Sequence, residues 1–120
     1  MNIYFLLWLF LLHFIGDFVF QTRHIANNKG KNFHILFYHV SIYIFVLGLG
    51  LLPFSKVQII GEFIGYNFWL HFFTDTITSK ITKYFWDKQN IYAFFTTIGF
   101  DQFLHIVALS LTYNWLFVNN

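Results

Sequence analysis

Four stretches of this chain are apolar almost without interruption, and short polar or turn-forming segments separate them. Residues 3–22 form the first and residues 33–52 the second, which closes at Pro53, a residue that cannot continue a helical hydrogen-bond ladder. Residues 59–86 form the third; its span reaches to about Ser79 and its continuation is amphipathic. Residues 91–118 form the fourth. Runs of this length without period-two alternation predict helices and not strands. Each is near the roughly 20 apolar residues that cross a hydrocarbon core. Residues 22–32, with Asn27, Asn28 and Gly30 as breakers, and residues 55–58 and 87–90 read as loops and turns. The first stretch has no basic leader and no small-residue cleavage site, so it reads as a retained helix. The expected fold is all-α: a four-helix transmembrane bundle, one integral membrane domain over residues 1–120.

The polar positions inside those runs are not scattered. His13, Asp17 and Gln21 are spaced by four, His71 and Asp75 repeat the offset, and Asp101 and His105 run it in reverse. Residues four apart share one helix face. Asn67, His71, Asp75, Thr78 and Thr82 make one stripe, and Thr97, Asp101, His105 and Thr112 another. The second run contributes His39, with Tyr43 one turn on. Asp17 lies about five residues before its helix ends, roughly 8 Å at 1.5 Å per residue. His39, Asp75 and Asp101 fall in the same half of their helices. The stripes are therefore expected to face one another inside the bundle at similar depth.

Composition agrees with a bilayer as solvent. The chain has 120 residues, is 58% hydrophobic and only 10% charged, less than half the usual charged share of a soluble domain. A net charge of +2, with basic residues dispersed among apolar helices, leaves no nucleic-acid footprint. The absence of cysteine excludes disulfides, thiolate metal sites and cysteine nucleophiles. Arg23, Lys29, Lys31, Lys80, Lys83 and Lys88 fall on the side of the first and third connections, and only Lys56 on the other. The positive-inside rule makes that side cytoplasmic, with both termini outside. The expectation is a multi-pass protein of the cell's inner (cytoplasmic) membrane, with lipids as partners and a homo-oligomer left open.

An aspartate at the bilayer centre costs about 2.5–3.5 kcal/mol unless compensated. No Lys or Arg lies within the spans to pair with Asp17, Asp75 and Asp101, and neutral imidazoles cannot cancel a carboxylate. A divalent cation would. Imidazole and carboxylate together suit Zn, Mn or Fe, and ligands four apart on a helix can share one ion. His13, Asp17, His39, His71, Asp75, Asp101 and His105 are the candidate ligands: too many for one tetrahedral ion, and suited to two ions with a bridging carboxylate. Soluble di-iron bundles reach a similar layout. A metal-activated water supplies a nucleophile near neutral pH, with Asp17, Asp75 or Asp101 as general base. Gln21, Tyr43, Asn67, Thr78 and Gln102 are candidates for orienting ligands or substrate, and Lys29, Lys31 or Lys80 for holding an anionic headgroup.

The string HFIGDFVFQT, then Lys29, YHVSIY, LHFFTDTITSK and FDQFLH, resembles a bacterial and phage family of small membrane proteins known as a domain of unknown function, number 3307 of its series. The resemblance runs from roughly Phe10 to His105. It implies a multi-pass membrane protein whose recurring polar positions correspond here to His13, Asp17, Gln21, Lys29, His39, His71, Asp75, Lys80, Asp101, Gln102 and His105. More distantly, the His/Asp-bearing helices look like those of membrane-bound proteins assigned as metal-dependent hydrolases. The expected function is thus a metal-dependent hydrolase acting on a lipid or lipid-linked substrate. Two alternatives stand beside it: a proton or divalent-cation transporter or channel, since intramembrane Asp/His relays also mark ion pathways, and a structural membrane subunit whose polar cluster only fixes packing. Haem between histidines is disfavoured by the adjacent carboxylates.

Overall fold

The computed structural model describes residues 2–119. α1 (Ile3–Phe14) starts on Asn2, whose side chain accepts from the N–H groups of Tyr4 and Phe5. It runs directly into a π-helical turn (Ile15–Val19), closed by the bond from Phe20 N–H to the Ile15 carbonyl. α2 (Arg23–Asn28) follows, then α3 (Phe33–Leu51), α4 (Val57–Asp87) and α5 (Ile91–Tyr113), which ends in a second π turn (Asn114–Val118). Asn32 and Asn90 cap α3 and α5 by accepting from the N–H groups of His34 and Ala93. These caps satisfy N-terminal donors that no helix can bond internally. Among the described residues there is no strand.

Two boundaries differ from the pattern-based expectation. The first helix stops at Val19 and not near residue 22, because the wider π turn consumes an extra residue and hands over to Thr22. The connection expected to be a loop over 22–32 then holds α2: the Thr22 hydroxyl accepts from Ile25 N–H, and Ile25 is buried. The third helix begins at Val57, two residues early, and continues unbroken to Asp87. α4 contacts α3 and α5, and α1 contacts the same two helices. Among the described residues the backbones of α1 and α4 do not approach each other closely, so the two helices stand at opposite corners of a four-cornered bundle. α2 packs on α3 near the end where α1 stops.

The bundle has two unlike halves. At the end holding the termini, Leu6, Leu9, Leu47, Leu51, Phe63 and Leu109 form a core of apolar side chains. In the other half the buried residues include His13, Asp17, His39, His71, Asp75, Asp101 and His105. Outward, all four long helices present large apolar side chains, among them Phe14, Phe45, Phe73 and Phe103, the reverse of a water-facing surface. Two helices are long and apolar enough to cross a membrane: Phe33–Leu51 and Ile91–Val118. Ile3–Val19 is apolar but shorter, and the stripe on α4 dilutes its hydropathy.

Candidate metal centre

The π turn carries Asp17 to the bundle axis. Gly16 makes this possible: a Cβ there would meet Tyr43 Cδ2 at 3.0 Å and Tyr43 Cα at 3.3 Å. With no side chain at that position, the π turn lies directly against α3, and Asp17 Oδ1 reaches His39 Nε2 at 3.0 Å. From α4, His71 and Asp75 point to the same place. His71 Nε2 is 3.4 Å from Asp17 Oδ1 and 3.3 Å from Asp75 Oδ2, while His39 Nε2 is 3.4 Å from Asp75 Oδ2. The two imidazole nitrogens are 3.3 Å apart. All four residues are essentially closed to solvent, with Asp75 at 0% exposure.

These distances are the geometry of a cage. Bonds of about 2.0–2.1 Å to a tetrahedral ion require donor atoms about 3.3 Å apart, and the five edges just given run from 3.0 to 3.4 Å. Two imidazole N–H groups donating to two carboxylates would pair these atoms two by two, with the imidazole nitrogens left facing each other at 3.3 Å; one cation would serve all four together. The donor set fits a divalent ion.

A second group adjoins it. Asp17, Asp101 and His105 also bring donor atoms within 4.8 Å of one another. His105 donates from Nδ1–H to the Asp101 backbone carbonyl at 2.8 Å, which leaves Nε2 aimed at Asp75 Oδ1, 3.2 Å away. Nε2 and Oδ1 have no other hydrogen-bond partner and are buried, and buried polar atoms are normally paired. Asp75 thus turns one oxygen to each group, as a bridging carboxylate does.

Around these atoms lies a supporting layer. Gln102 donates to Asp17 Oδ2 at 2.9 Å and to Asp101 Oδ2 at 3.0 Å. Its Oε1 accepts from His13 Nε2–H at 2.8 Å, so His13 Nδ1 accepts from the Tyr43 hydroxyl at 3.0 Å. The Thr78 hydroxyl donates to Asp101 Oδ1, and that of Ser79 to the Asp75 backbone carbonyl. Orienting contacts of this kind fix donor direction and tautomer at metal sites.

Six of the seven expected ligands converge: Asp17, His39, His71, Asp75, Asp101 and His105. His13 lies outside both donor groups: its nitrogens are hydrogen-bonded to Gln102 and Tyr43, the position of an orienting residue. Asn67 bonds the Thr112 hydroxyl and the Phe63 carbonyl and holds α4 to α5. The absence of a nearby cation is corrected. Lys29, arriving from the connection after α2, places Nζ 2.9 Å from Asp75 Oδ2. A carboxylate oxygen has lone pairs for both an ammonium and an ion. Burial lowers the Lys29 pKa, but Asp75 and then Asp17 outweigh it, and the net shift is above the ordinary lysine value. One ammonium against three carboxylates still leaves two negative charges in excess if the imidazoles are neutral. Lys80 is exposed and is not brought to the site.

A cavity of about 630 Å³ opens beside the centre and reaches Asp17, Asp101, Gln102 and Gln21. Lys29, Lys31 and Lys83 line it as well. Lys83 was missed by sequence reasoning; its helical phase could have found it, since it lies two turns beyond Asp75 on the same side.

Residues 5–120 match the family described as Protein of unknown function (DUF3307), and the chain belongs to that family. No curated protein and no solved structure matches the chain.

Proposed function

We propose that this DUF3307 chain is a multi-pass protein of the inner membrane, holding an intramembrane metal centre that hydrolyses an ester bond in a lipid or lipid-linked substrate. The carrying observation is the cage of His39, His71, Asp17 and Asp75, with donor separations that fit a tetrahedral ion. The four long helices are read as four spans, the first and third connections cytoplasmic and both termini outside. Six basic residues on one side against Lys56 on the other support this orientation. α4, with 31 residues, is about 46 Å long at 1.5 Å per residue, against a hydrocarbon core of about 30 Å. Its last turns, with Lys80, Lys83 and Lys88, therefore project into the cytoplasmic interface, where the cavity opens.

Zn, Mn or Fe, as one or two ions, would supply Lewis acidity and an activated water. His39, His71, Asp17 and Asp75 would hold one ion; His105, with the remaining oxygens of Asp75 and Asp17 and with Asp101, would hold the second. The chain's other groups have definite tasks. Gln102 fixes Asp17 and Asp101 together, His13 and Tyr43 hold Gln102, and Lys29 cancels part of the charge of Asp75. Asp101, at the inner end of the cavity, is the carboxylate best placed to accept a proton from water there.

The ion-pathway alternative needs a polar route through both halves. The space behind the histidines, lined by Tyr43, Asn67, His71 and His105, is about 10 Å³, room for about one water, and the core beyond it is apolar. The decisive measurement is metal content by mass spectrometry on detergent-purified protein, beside Asp17→Asn and His71→Ala variants shown by circular dichroism to be folded. One or two equivalents of metal per chain, lost in both variants, is the expected result. No divalent metal after growth and reconstitution with Zn, Mn and Fe would overturn the reading and leave the cluster as ion-pathway or packing residues.

A further inference from the structure

The cavity beside the metal centre is lined by two chemically different sets of side chains. One carries three amino groups, Lys29 and Lys31 from the connection after α2 and Lys83 from α4. The other is apolar, with Phe18 of the first π turn, Trp86 of α4, and Phe94 and Ile98 of α5. The π turn and α5 are joined by the hydrogen bond from Gln102 to Asp17 Oδ2 at 2.9 Å. Phe18 and Ile98, one from each element, both line the cavity. At about 630 Å³ the space matches a site for a molecule of many heavy atoms.

The lysines are differently engaged. Lys29 is committed to Asp75. Lys83 pairs with Asp87 at the surface, both largely exposed, and such pairs are held weakly. Lys31 makes no ion pair among the described residues. Gln21 stands at the same cavity with its Oε1 buried and unpartnered, which calls for a ligand that hydrogen-bonds there. Basic side chains, apolar side chains and an unpaired amide thus share one cavity, whose inner end is formed by Asp17, Asp101 and Gln102.

We infer that the substrate is a phosphate ester of an apolar alcohol, whose phosphoryl group lies at that inner end with Lys31 and Lys83 on its non-bridging oxygens. The alkyl chain runs along Phe18, Phe94 and Ile98. This rests on the hydrolase reading and narrows it: a carboxylic ester offers the two lysines no anion. In the reaction the oxygen of water bonds to phosphorus and the bond from phosphorus to the alcohol oxygen breaks. One proton of water is taken up at Asp101 and delivered to the leaving oxygen, the other stays on the phosphate, and no electrons change hands.

Two measurements test this. In the first, dodecyl phosphate is titrated into detergent-solubilised protein and the tryptophan fluorescence is compared with that of Trp86→Phe, which isolates the tryptophan at the cavity. A Trp86-dependent change is expected, with affinity about tenfold weaker in Lys31→Gln and in Lys83→Gln, the loss of one charge-assisted contact, and unchanged in Lys80→Gln. Equal affinity in all four proteins would overturn the inference. In the second, metal-loaded protein is given dodecyl phosphate, phosphatidic acid in nanodiscs, phenyl phosphate and p-nitrophenyl laurate. Release of inorganic phosphate, with KM raised about tenfold and metal content unchanged in Lys83→Gln, supports it. Phosphatidic acid as the preferred ester identifies a membrane lipid as the source and dodecyl phosphate a single-chain one, whereas preference for phenyl phosphate overturns the alkyl-chain assignment. Cleavage of the laurate alone overturns the phosphate assignment and leaves the hydrolase standing. Lysine-dependent binding of dodecyl phosphate with no ester cleaved overturns the hydrolase reading instead.

Discussion

The two halves of this bundle are built from the same four long helices and held together by different physics. Toward the termini, Leu9, Leu47, Phe63 and Leu109 are fully buried, and their fit is a matter of volume and dispersion contacts. Toward the other end, Asp17, His39, His71 and Asp75 are equally buried, but their fit is a matter of charge and direction. Within α1 the change takes one residue, from Leu12 to His13. A leucine core tolerates exchange among similar volumes. A carboxylate cluster tolerates no missing partner, because each unpaired buried charge bears its whole desolvation penalty. The apolar half can therefore serve as the frame against which the polar half is positioned.

Substitutions in each half separate the two. The largest effect is expected for Asp75→Leu, which strands the part-buried Lys29 ammonium and removes the carboxylate that turns one oxygen to each donor group. It should abolish metal binding and cost about 3–5 kcal/mol of stability, measured by mass spectrometry and by thermal unfolding in detergent. Leu47→Ala should cost about 2–5 kcal/mol by opening a cavity while the metal stoichiometry of the folded fraction stays at its wild-type value; loss of metal there would show that the halves are not separable. Gly16→Ala places a methyl group against the Tyr43 backbone. An overpacking cost of about 1–3 kcal/mol is expected, with a larger proportional loss in metal affinity, because the displacement moves Asp17 away from His39. Gln102→Ala should leave stability within about 1.5 kcal/mol and weaken metal affinity about 10–100-fold, read by competition with a chelating dye.

The smallest effect concerns pH. The Lys29 pKa is raised, so the stabilisation from its pair with Asp75 is complete below the ordinary lysine value of 10.5 and is lost only as pH climbs through the higher folded-state value. Unfolding midpoints of wild type and Lys29→Met should therefore keep a constant difference between pH 7 and pH 9. A difference that shrinks across that range would show that the ammonium is not held by Asp75.

Much of the site was legible because it is written in helical phase. The offsets of four at residues 13 and 17, 71 and 75, and 101 and 105 survive folding, since a continuous helix converts spacing into direction without help from elsewhere. His39 had no partner in its own helix, yet its depth alone placed it correctly. What could not be read depends on contacts across the chain. Lys29 lies in a polar connection, and nothing local says that α2 folds back onto α3 and delivers an ammonium to Asp75. His13 looks like Asp17's co-ligand until Gln102 and Tyr43 arrive from other helices and occupy both its nitrogens. Lys80 and Lys83 are alike in composition, but at 100° per residue Lys80 is turned about 140° from Asp75 and Lys83 about 80°. The π turn has no local signature beyond Gly16.

The ion pair between Lys29 and Asp75 also acts as a check on assembly. It ties the connection between the first two long helices to the middle of the third, across 46 positions of chain. If the pair α4–α5 entered the bundle upside down, Asp75 would face the leucine core without the ammonium that partners it. That buried carboxylate would bear its desolvation penalty alone, so the inverted arrangement is penalised. The contact of one early residue with one late one thus favours one relative direction of the two helix pairs over the other.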